Sequence, residues 1–283
     1  MCYILGAMYI IKTQNELRAY LKDKSSIGFV PTMGALHQGH IGLIEKSMQE
    51  NEVTGCSIFV NPAQFNQQSD FDKYPVNIEN DLELLLTAGC DFLFLPSVKE
   101  MYPNGFQTLQ HYDLGYLDSV LEGEFRPGHF NGVCAIVHKL LQAVMPQNLY
   151  MGAKDFQQCM VIKRLLEITA LPVHLIICPT EREADGLAMS SRNLRLSAEG
   201  RSRAAAIYKG LTLIRQHQHS DTFTALQNDC IRSLAAQNIE TEYLALADTD
   251  NLQLLDDFQA GSRMVVLFAG RLEGVRLIDN LTL

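Results

Sequence analysis

"IGFVPTMGALHQGHIGLIEKSM", Ile27 to Met48, leads from an apolar run through two glycines and two histidines into a helical pattern. Ile27–Val30 reads as a short strand buried on both faces, and the helix after His40 runs to about Asn51. A helix N-terminus offers unpaired N–H groups and a positive dipole end, which together make an anion site. Gly34 and Gly39 let the backbone come close to a phosphate. Their spacing matches a P-loop, but His40-Ile41 stands where Lys-Ser/Thr is required, so that reading is rejected. His37 and His40 lie on one side of the first helical turn. Each can donate a hydrogen bond to a phosphate oxygen, and protonation adds charge as it builds up in a transition state. Spacing alone leaves two other readings open. A histidine at a helix start serves as a cap or a surface residue, and H-x-x-H belongs to some zinc sites, weakly so without further ligands at metal spacing.

The same alternation continues outward. Thr13-x-x-Glu16 is a capping box before Leu17, Tyr20 and Leu21 at helical spacing. "CSIFVN" (56–61), "CDFLFLP" (90–96), "NLYMG" (148–152) and "HLIIC" (174–178) read as strands. Between them lie a helix over 77–89, with Asn77 as N-cap and Gly89 as its stop, and one through Val133, Val137, Leu140, Leu141 and Val144 that ends before Pro146. Asp155 opens another. Residues 97–129 are loop-rich. Strands that are continuous apolar runs alternating with helices predict a doubly wound, Rossmann-like parallel sheet over 1–178. Beyond Pro179 the texture changes to a polar stretch, "PTEREADGLAMSSRNLRLS". It is followed by a helix capped by Ser197 with Ala204, Ile207, Leu211 and Ile214 inward, a second helix near 221–236, and strands in "EYLALAD" (242–248) and "RMVVLFAGRLEGVRLIDN" (263–280). This predicts a smaller α+β domain over 179–283. No internal repeat is visible.

The bulk numbers set bounds. The chain has 283 residues, 47% hydrophobic and 19% charged, with a formal net charge of -9, and it has no Lys/Arg cluster of the kind long nucleic acid needs. No apolar run is long enough to span a bilayer. Seven cysteines without a C-x-x-C pair read as reduced, mostly buried thiols of a cytosolic protein. The first residues lack the marks of a signal peptide, and Met8 is a candidate natural start.

Ligands of open parallel sheets bind at the carboxyl ends of strands. Three polar clusters occupy such ends: "PTMGALHQGH", "FVNPAQF" (59–65) and "MGAKDFQQ" (151–158). Lys154 at a helix start opposes the dipole, a local conflict typical of functional sites; a solvated lysine beside an N-capping Asp155 is the plainer alternative. Asn61 and Gln64 suit a polar organic substrate, or simply a turn beside Pro62. "MSSRN" (189–193) supplies hydroxyls and an arginine able to bind phosphate, or a hinge loop. "EGEFRPGHFNG" (122–132) contributes Arg126 and His129, and by itself reads as a turn.

Taken together these stretches resemble the pantoate–β-alanine ligase (pantothenate synthetase) family. The resemblance runs from Met8 onward and includes "PTMGALHQGH", "SIFVNPAQF", "YPNG", "LEGEFRPGHFNGV", "GAKDFQQ", "DGLAMSSRN" and "RLIDN" in the family's order. It implies membership of the nucleotidyltransferase superfamily that includes the class I aminoacyl-tRNA synthetases. His37-Gln38-Gly39-His40 matches its H-x-G-H signature, and Met189-Ser190-Ser191-Arg192 its mobile loop. Ala188 stands where the broader signature has a lysine, and Lys154 would compensate. The resemblance implies ATP-dependent joining of pantoate to β-alanine through a pantoyl-adenylate, releasing pyrophosphate and then AMP.

Carried onto this sequence, the resemblance makes His40 the general acid, with His37 and Lys154 beside it on the phosphates. Met33, Gly34, Ala35, Leu36, Gln38, Gly39, Gly152, Ala153, Asp155, Glu181, Met189, Ser190, Ser191 and Arg192 would complete the ATP site. Gln64 and Gln158 would hold pantoate, with Asn61, Arg126 and His129 near the amine. Mg²⁺ would bridge the phosphates with Asp81 as an outer partner, although Leu84 stands where some relatives carry a glutamine. The resemblance further implies a cytoplasmic homodimer with no nucleic-acid or membrane partner. Two other classes share the fold. An adenylyltransferase acting on a phosphate acceptor would need a cationic acceptor pocket where "NPAQF" and "DFQQ" offer neutral amides. A non-catalytic nucleotide-binding module would have no use for intact His37, His40, Lys154, Ser190, Ser191 and Arg192.

Overall fold

A computed structural model describes residues 3–65, 71–72, 74–106 and 110–283. Two compact units emerge from it: Met1–Gly152 with Val161–Cys178, and Ala153–Met160 with Pro179–Leu283.

The first unit is built on β1 (Tyr3–Leu5), β2 (Met8–Ile11), α1 (Gln14–Leu21), β3 (Ile27–Thr32), α2 (Gln38–Glu50), β4 (Val53–Ile58), α3 (Ile78–Ala88) and β5 (Phe92–Phe94). Short helices α4 (Val98–Met101) and α5 (Glu122–Phe125) precede α6 (His129–Val144), β6 (Asn148–Gly152), α7 (Phe156–Thr169), which counts with the second unit up to Met160, and β7 (His174–Cys178). The strands form one sheet in the order β1-β2-β5-β4-β3-β6-β7. β1 runs antiparallel to β2 and every other pair is parallel. From β3 the chain winds outward first through β4 and β5, then on the other side through β6 and β7. The order reverses between β3 and β6, and that switch point is where such sheets bind ligands.

Local sequence explains the helix ends. Thr13 and Glu16 close the expected capping box on α1. Asn77 accepts the Asn80 N–H at the start of α3, and Gly89, at φ 81°, stops it. Val30, Ile44, Cys56, Leu85, Leu93 and Tyr150 form the middle of this unit's core.

Several boundaries differ from the sequence reading. β4 begins at Val53 and ends at Ile58 rather than covering 56–61. Thr54-Gly55 resembles a turn locally, yet Val53 pairs with Ile27, and Gly55 is needed because a Cβ there would lie 1.9 Å from the Phe92 ring. α2 starts at Gln38, since His37 itself is the N-cap, and α6 starts as early as His129. β3 continues through Pro31 to Thr32. Pro31 lacks an N–H, and the pairing of β3 with β6 stops at Phe29, so no donor is missed on that side.

The second unit contains α8 (Ala198–Ala204), α9 (Ala206–His217), α10 (Phe223–Ala235), β8 (Glu240–Asp248), β9 (Leu254–Leu255), β10 (Met264–Leu272) and β11 (Val275–Thr282). Its sheet is antiparallel, in the order β11-β10-β8-β9. The single helix expected after Ser197 is broken at Ala205 into α8 and α9, while Ala204, Ile207, Leu211 and Ile214 all point into the core as their spacing predicts. Glu273 and Gly274 join β10 to β11 with φ of 53° and 74°, the left-handed pair that tight hairpins require.

Cys56, Cys90, Cys134, Cys159, Cys178 and Cys230 are free and buried; Cys2 lies outside the described residues. Burial pushes the Cys90 and Cys134 thiols up to about 12 and Cys230 up to about 11. Among the described residues no helix is long and apolar enough to cross a membrane.

Candidate active site

The carboxyl end of β3 opens the site in the first unit. β3 and β6 pair only at Gly28–Asn148 and Phe29–Leu149, so their carboxyl halves separate at the switch point. The chain then turns through Met33–Leu36 into α2. Here His37 is the N-cap and its Nδ1 accepts the Gly39 N–H at 3.2 Å. The His40 Nδ1 accepts the His37 backbone N–H at 3.3 Å, completing a capping box made of two imidazoles. Their ring centroids are 4.1 Å apart. An Nδ1 that accepts carries no proton, so each neutral ring bears its N–H at Nε2. The sequence placed two donors at an anion-binding helix end; the geometry fixes which nitrogen donates.

The approach loop is held from below. Asp81, 1% exposed on α3, accepts the Ala35 N–H on Oδ2 at 2.9 Å and the Leu36 N–H on Oδ1 at 2.7 Å. Burial pushes its carboxyl above the usual range, and the two N–H bonds pull it back. Gly34 has φ 82° and Ala35, without a glycine's freedom, φ 49°. Asp81 supports that left-handed step, which an ordinary residue adopts at a cost of about 1 kcal/mol or more.

Beside β4, Asn61 caps the turn Pro62–Gln64 and is 1% exposed. Its Oδ1 accepts from the Ala63 N–H and the Tyr102 hydroxyl, and its Nδ2 donates to the Gly132 carbonyl and to Gln64 Oε1. That buried amide is fully satisfied. Gln64 Nε2 also lies 2.7 Å from Met33 Sδ. His129 Nδ1 is 2.8 Å from the Gln64 carbonyl, and its Nε2 is 3.1 Å from Arg126 Nη1. A carbonyl only accepts and a guanidinium only donates, so His129 carries its proton on Nδ1. Glu122 stands 3.7 Å from Arg126. The residues predicted from "NPAQF" and "EFRPGHF" therefore form one network. Tyr102 and Gly132 belong to it as well, and had no assigned role. Tyr102 lies in "YPNG", and a Cβ on Gly132 would lie 2.2 Å from the Ala63 carbonyl oxygen.

In the second unit, Ala153–Asp155 form a single 3-10 turn ahead of α7. The Lys154 ammonium is 3.6 Å from Asp155, and its side chain is mostly buried. Gln158 is half-buried on α7 and Glu181 is exposed. The Glu181 carbonyl accepts the Met189 N–H. Ser190 caps the turn Ser191–Arg195, its Oγ accepting the Arg192 N–H at 3.3 Å. Asn193 is buried and ties its amide to the Ala188 carbonyl. A depression in this unit is lined by Lys154, Ala188, Ser190, Arg192, Arg276 and Asp279, among others. Lys154, Arg192 and the Ser190 hydroxyl line this hollow, while Arg276 is engaged by Glu242 at 2.7 Å and Asp279 by Arg182. Arg182, Asp279 and Asn280 support these residues; in the sequence Asp279 and Asn280 appeared only within "RLIDN" and Arg182 only within the polar stretch after Pro179.

Among the described residues, no group of three or more His, Cys, Asp or Glu side chains is arranged to hold a metal ion.

Comparison with known proteins identifies the family and the fold. A family model described as pantoate-beta-alanine ligase matches residues 9–282. The pantothenate synthetase of Cytophaga hutchinsonii is 44% identical over 98% of this chain and 99% of its own length. A crystal structure of pantothenate synthetase from Thermus thermophilus superposes with a TM-score of 0.90 at 42% identity, covering 96% of this chain and 98% of that one. A pantoate-beta-alanine ligase from Francisella tularensis, complexed with beta-gamma ATP and beta-alanine, gives a TM-score of 0.80 at 36% identity, covering 96% of each chain. This chain belongs to the pantoate-beta-alanine ligase family.

Proposed function

We propose that the chain joins pantoate to β-alanine with ATP in two steps, and that the paired histidines at the start of α2 drive the first. The carboxylate of pantoate attacks the α-phosphorus of ATP and expels pyrophosphate, leaving pantoyl-adenylate. The amine of β-alanine then attacks the acyl carbon and expels AMP. No protein nucleophile takes part, so the residues act by positioning and by charge stabilisation.

The observation that carries this reading is the reciprocal capping box. Both Nδ1 atoms are committed to backbone N–H groups, which sets the Nε2–H groups of His37 and His40 as donors at the positive end of the α2 dipole. Such donors stabilise phosphate charge as the α–β bridging bond breaks. Because the His40 Nδ1 accepts the His37 N–H, the neutral ring gives the leaving pyrophosphate a hydrogen bond from Nε2 rather than the proton expected of a general acid, and His37 binds beside it. Met33, Gly34, Ala35, Leu36, Gln38 and Gly39 complete this side of the nucleotide site, and Gly152 ends β6 near the switch point.

Gln64 holds pantoate, and its neutral amide suits a hydroxy acid. Asn61 and His129 fix Gln64 from both ends, and Arg126 orients His129. In the second unit, Lys154, Ser190, Ser191 and Arg192 contact phosphate oxygens, with Ala153, Asp155, Glu181 and Met189 around them, and Gln158 contacts pantoate.

Mg²⁺ enters as the counter-ion of the ATP phosphates. Asp81 fits it poorly as a ligand, since it is buried and both its oxygens already hold backbone N–H groups; no step is derived through the metal. The family resemblance also supports a homodimer of the cytoplasm.

ATP–pyrophosphate exchange, measured with pantoate present and β-alanine absent, tests the reading. Exchange that depends on pantoate is expected. A folded, ATP-binding sample that shows none would overturn it.

A further inference from the structure

We propose that Asn280 is a positioning residue for Lys154, locked in place by the Arg182–Asp279 ion pair. The inference rests on the reading that Lys154 acts on the ATP phosphates.

The Asn280 Nδ2 donates to two successive carbonyls, those of Ala153 and Lys154, both at 2.8 Å. One NH₂ group bridging adjacent carbonyls fixes the peptide between them, and with it the direction in which the Lys154 side chain leaves the turn. A one-turn 3-10 segment has few hydrogen bonds of its own to do this. The side chain that grips it comes from the last strand of the chain, β11.

Asn280 is itself held at both backbone ends. Its N–H donates to Asp279 Oδ1 at 2.7 Å, and its carbonyl accepts from Arg182 Nη2 at 3.0 Å. Arg182 meets Asp279 through two parallel hydrogen bonds, of 2.7 and 2.9 Å. Its guanidinium also stacks 4.0 Å from the centre of the Tyr208 ring and donates to the Gly186 carbonyl. A bidentate, stacked and largely buried arginine has little freedom left.

The same residue reaches the other half of the hollow. The Arg182 backbone pairs with Ala188, directly before Met189-Ser190-Ser191-Arg192. Arg182 therefore joins two segments that carry the hollow's cations: its side chain fixes the Lys154 turn through Asn280, and its main chain fixes the serine–arginine loop.

The test is a double-mutant cycle on the full chain, read as ATP–pyrophosphate exchange with pantoate. Asn280→Ala is expected to lower kcat by about 10- to 100-fold, the scale of a small misplacement of a catalytic group, with the KM for pantoate within about twofold. Lys154→Ala is expected to lower kcat at least as far. The Lys154→Ala/Asn280→Ala double variant should be no slower than Lys154→Ala alone, because Asn280 acts through the lysine. Losses that multiply would overturn the positioning role while leaving Lys154's role intact. An unimpaired Lys154→Ala enzyme would remove the reading beneath it, and the proposal with it. Asn280→Asp keeps the shape without the amide donors and serves if the alanine variant does not fold. It should be slow at pH 8, and full activity there would equally overturn the proposal.

Discussion

The Nδ1 of His40 accepts the backbone N–H of His37 while the Nδ1 of His37 accepts that of Gly39, so the two residues proposed to face the phosphates also start the helix that presents them. Capping uses Nδ1 and the proposed phosphate contact uses Nε2 of the same rings, so substitutions can separate the two roles.

His40→Gln restores the side chain that capping boxes normally carry at this position, whereas His40→Ala removes the cap. The alanine variant should lose about 0.5–2 kcal/mol of stability and the glutamine variant less. Pyrophosphate exchange should fall by about 10²-fold or more in both, the usual loss on removing a donor placed to stabilise developing charge. Urea denaturation alongside the exchange assay checks this. Wild-type exchange in His40→Gln would assign the ring to capping alone.

Asp81 supports the loop that leads into this cap. Asp81→Ala leaves the Ala35 and Leu36 N–H groups without acceptors in a buried site, at about 1–3 kcal/mol for each. The midpoint of thermal unfolding should drop and exchange should weaken. Raising the Mg²⁺ concentration should not restore activity; recovery with Mg²⁺ would make Asp81 a metal partner after all.

Gly132 lies against the turn that carries Gln64. A Cβ at this position would meet the Ala63 carbonyl at 2.2 Å and Gln64 Cα at 2.9 Å, and backbone atoms have little room to yield. Gly132→Ala should therefore displace Gln64 and raise the KM for pantoate more than the KM for ATP. Steady-state kinetics with each substrate varied in turn will show it, and equal effects on the two would count against Gln64 as the pantoate ligand.

The pair formed by Asp185 and Arg201 predicts a pH dependence. The guanidinium at 2.6 Å holds the Asp185 carboxyl below its ordinary 3.8. A lowered acid pKa stabilises the fold above 3.8, and that contribution disappears as the pH falls through the depressed value. Both side chains are partly exposed, so screening keeps the effect to about 1 kcal/mol or less. Urea midpoints of Asp185→Asn should lie below those of the parent at pH 7 and converge with them as the pH falls through the depressed Asp185 pKa. A difference that grows on acidification would contradict the sign.

Much of this architecture is legible in the sequence because the signals are local. Asn148–Gly152 and His174–Cys178 are continuous apolar runs and form strands with those bounds. The Asn77 cap and the Gly89 stop are single-residue signals of the same kind. The misread start of β4 depends on Phe92, whose ring occupies the space over Gly55 and which is remote in sequence. The histidines were visible by spacing, whereas their tautomers required hydrogen-bond partners. Asn280 grips carbonyls 126 and 127 residues away, a relationship no periodicity can encode.

The buried thiols bear on how the protein can be handled. Thiol-directed reagents attack the thiolate, and groups pushed up to about 11 or 12 supply almost none at neutral pH. The folded chain should tolerate air and maleimides at Cys56, Cys90, Cys134 and Cys230 without added reductant. With Cys2 replaced by serine, one cysteine placed on an exposed position such as Leu213 would accept a fluorophore selectively, which opens the enzyme to spectroscopy in solution.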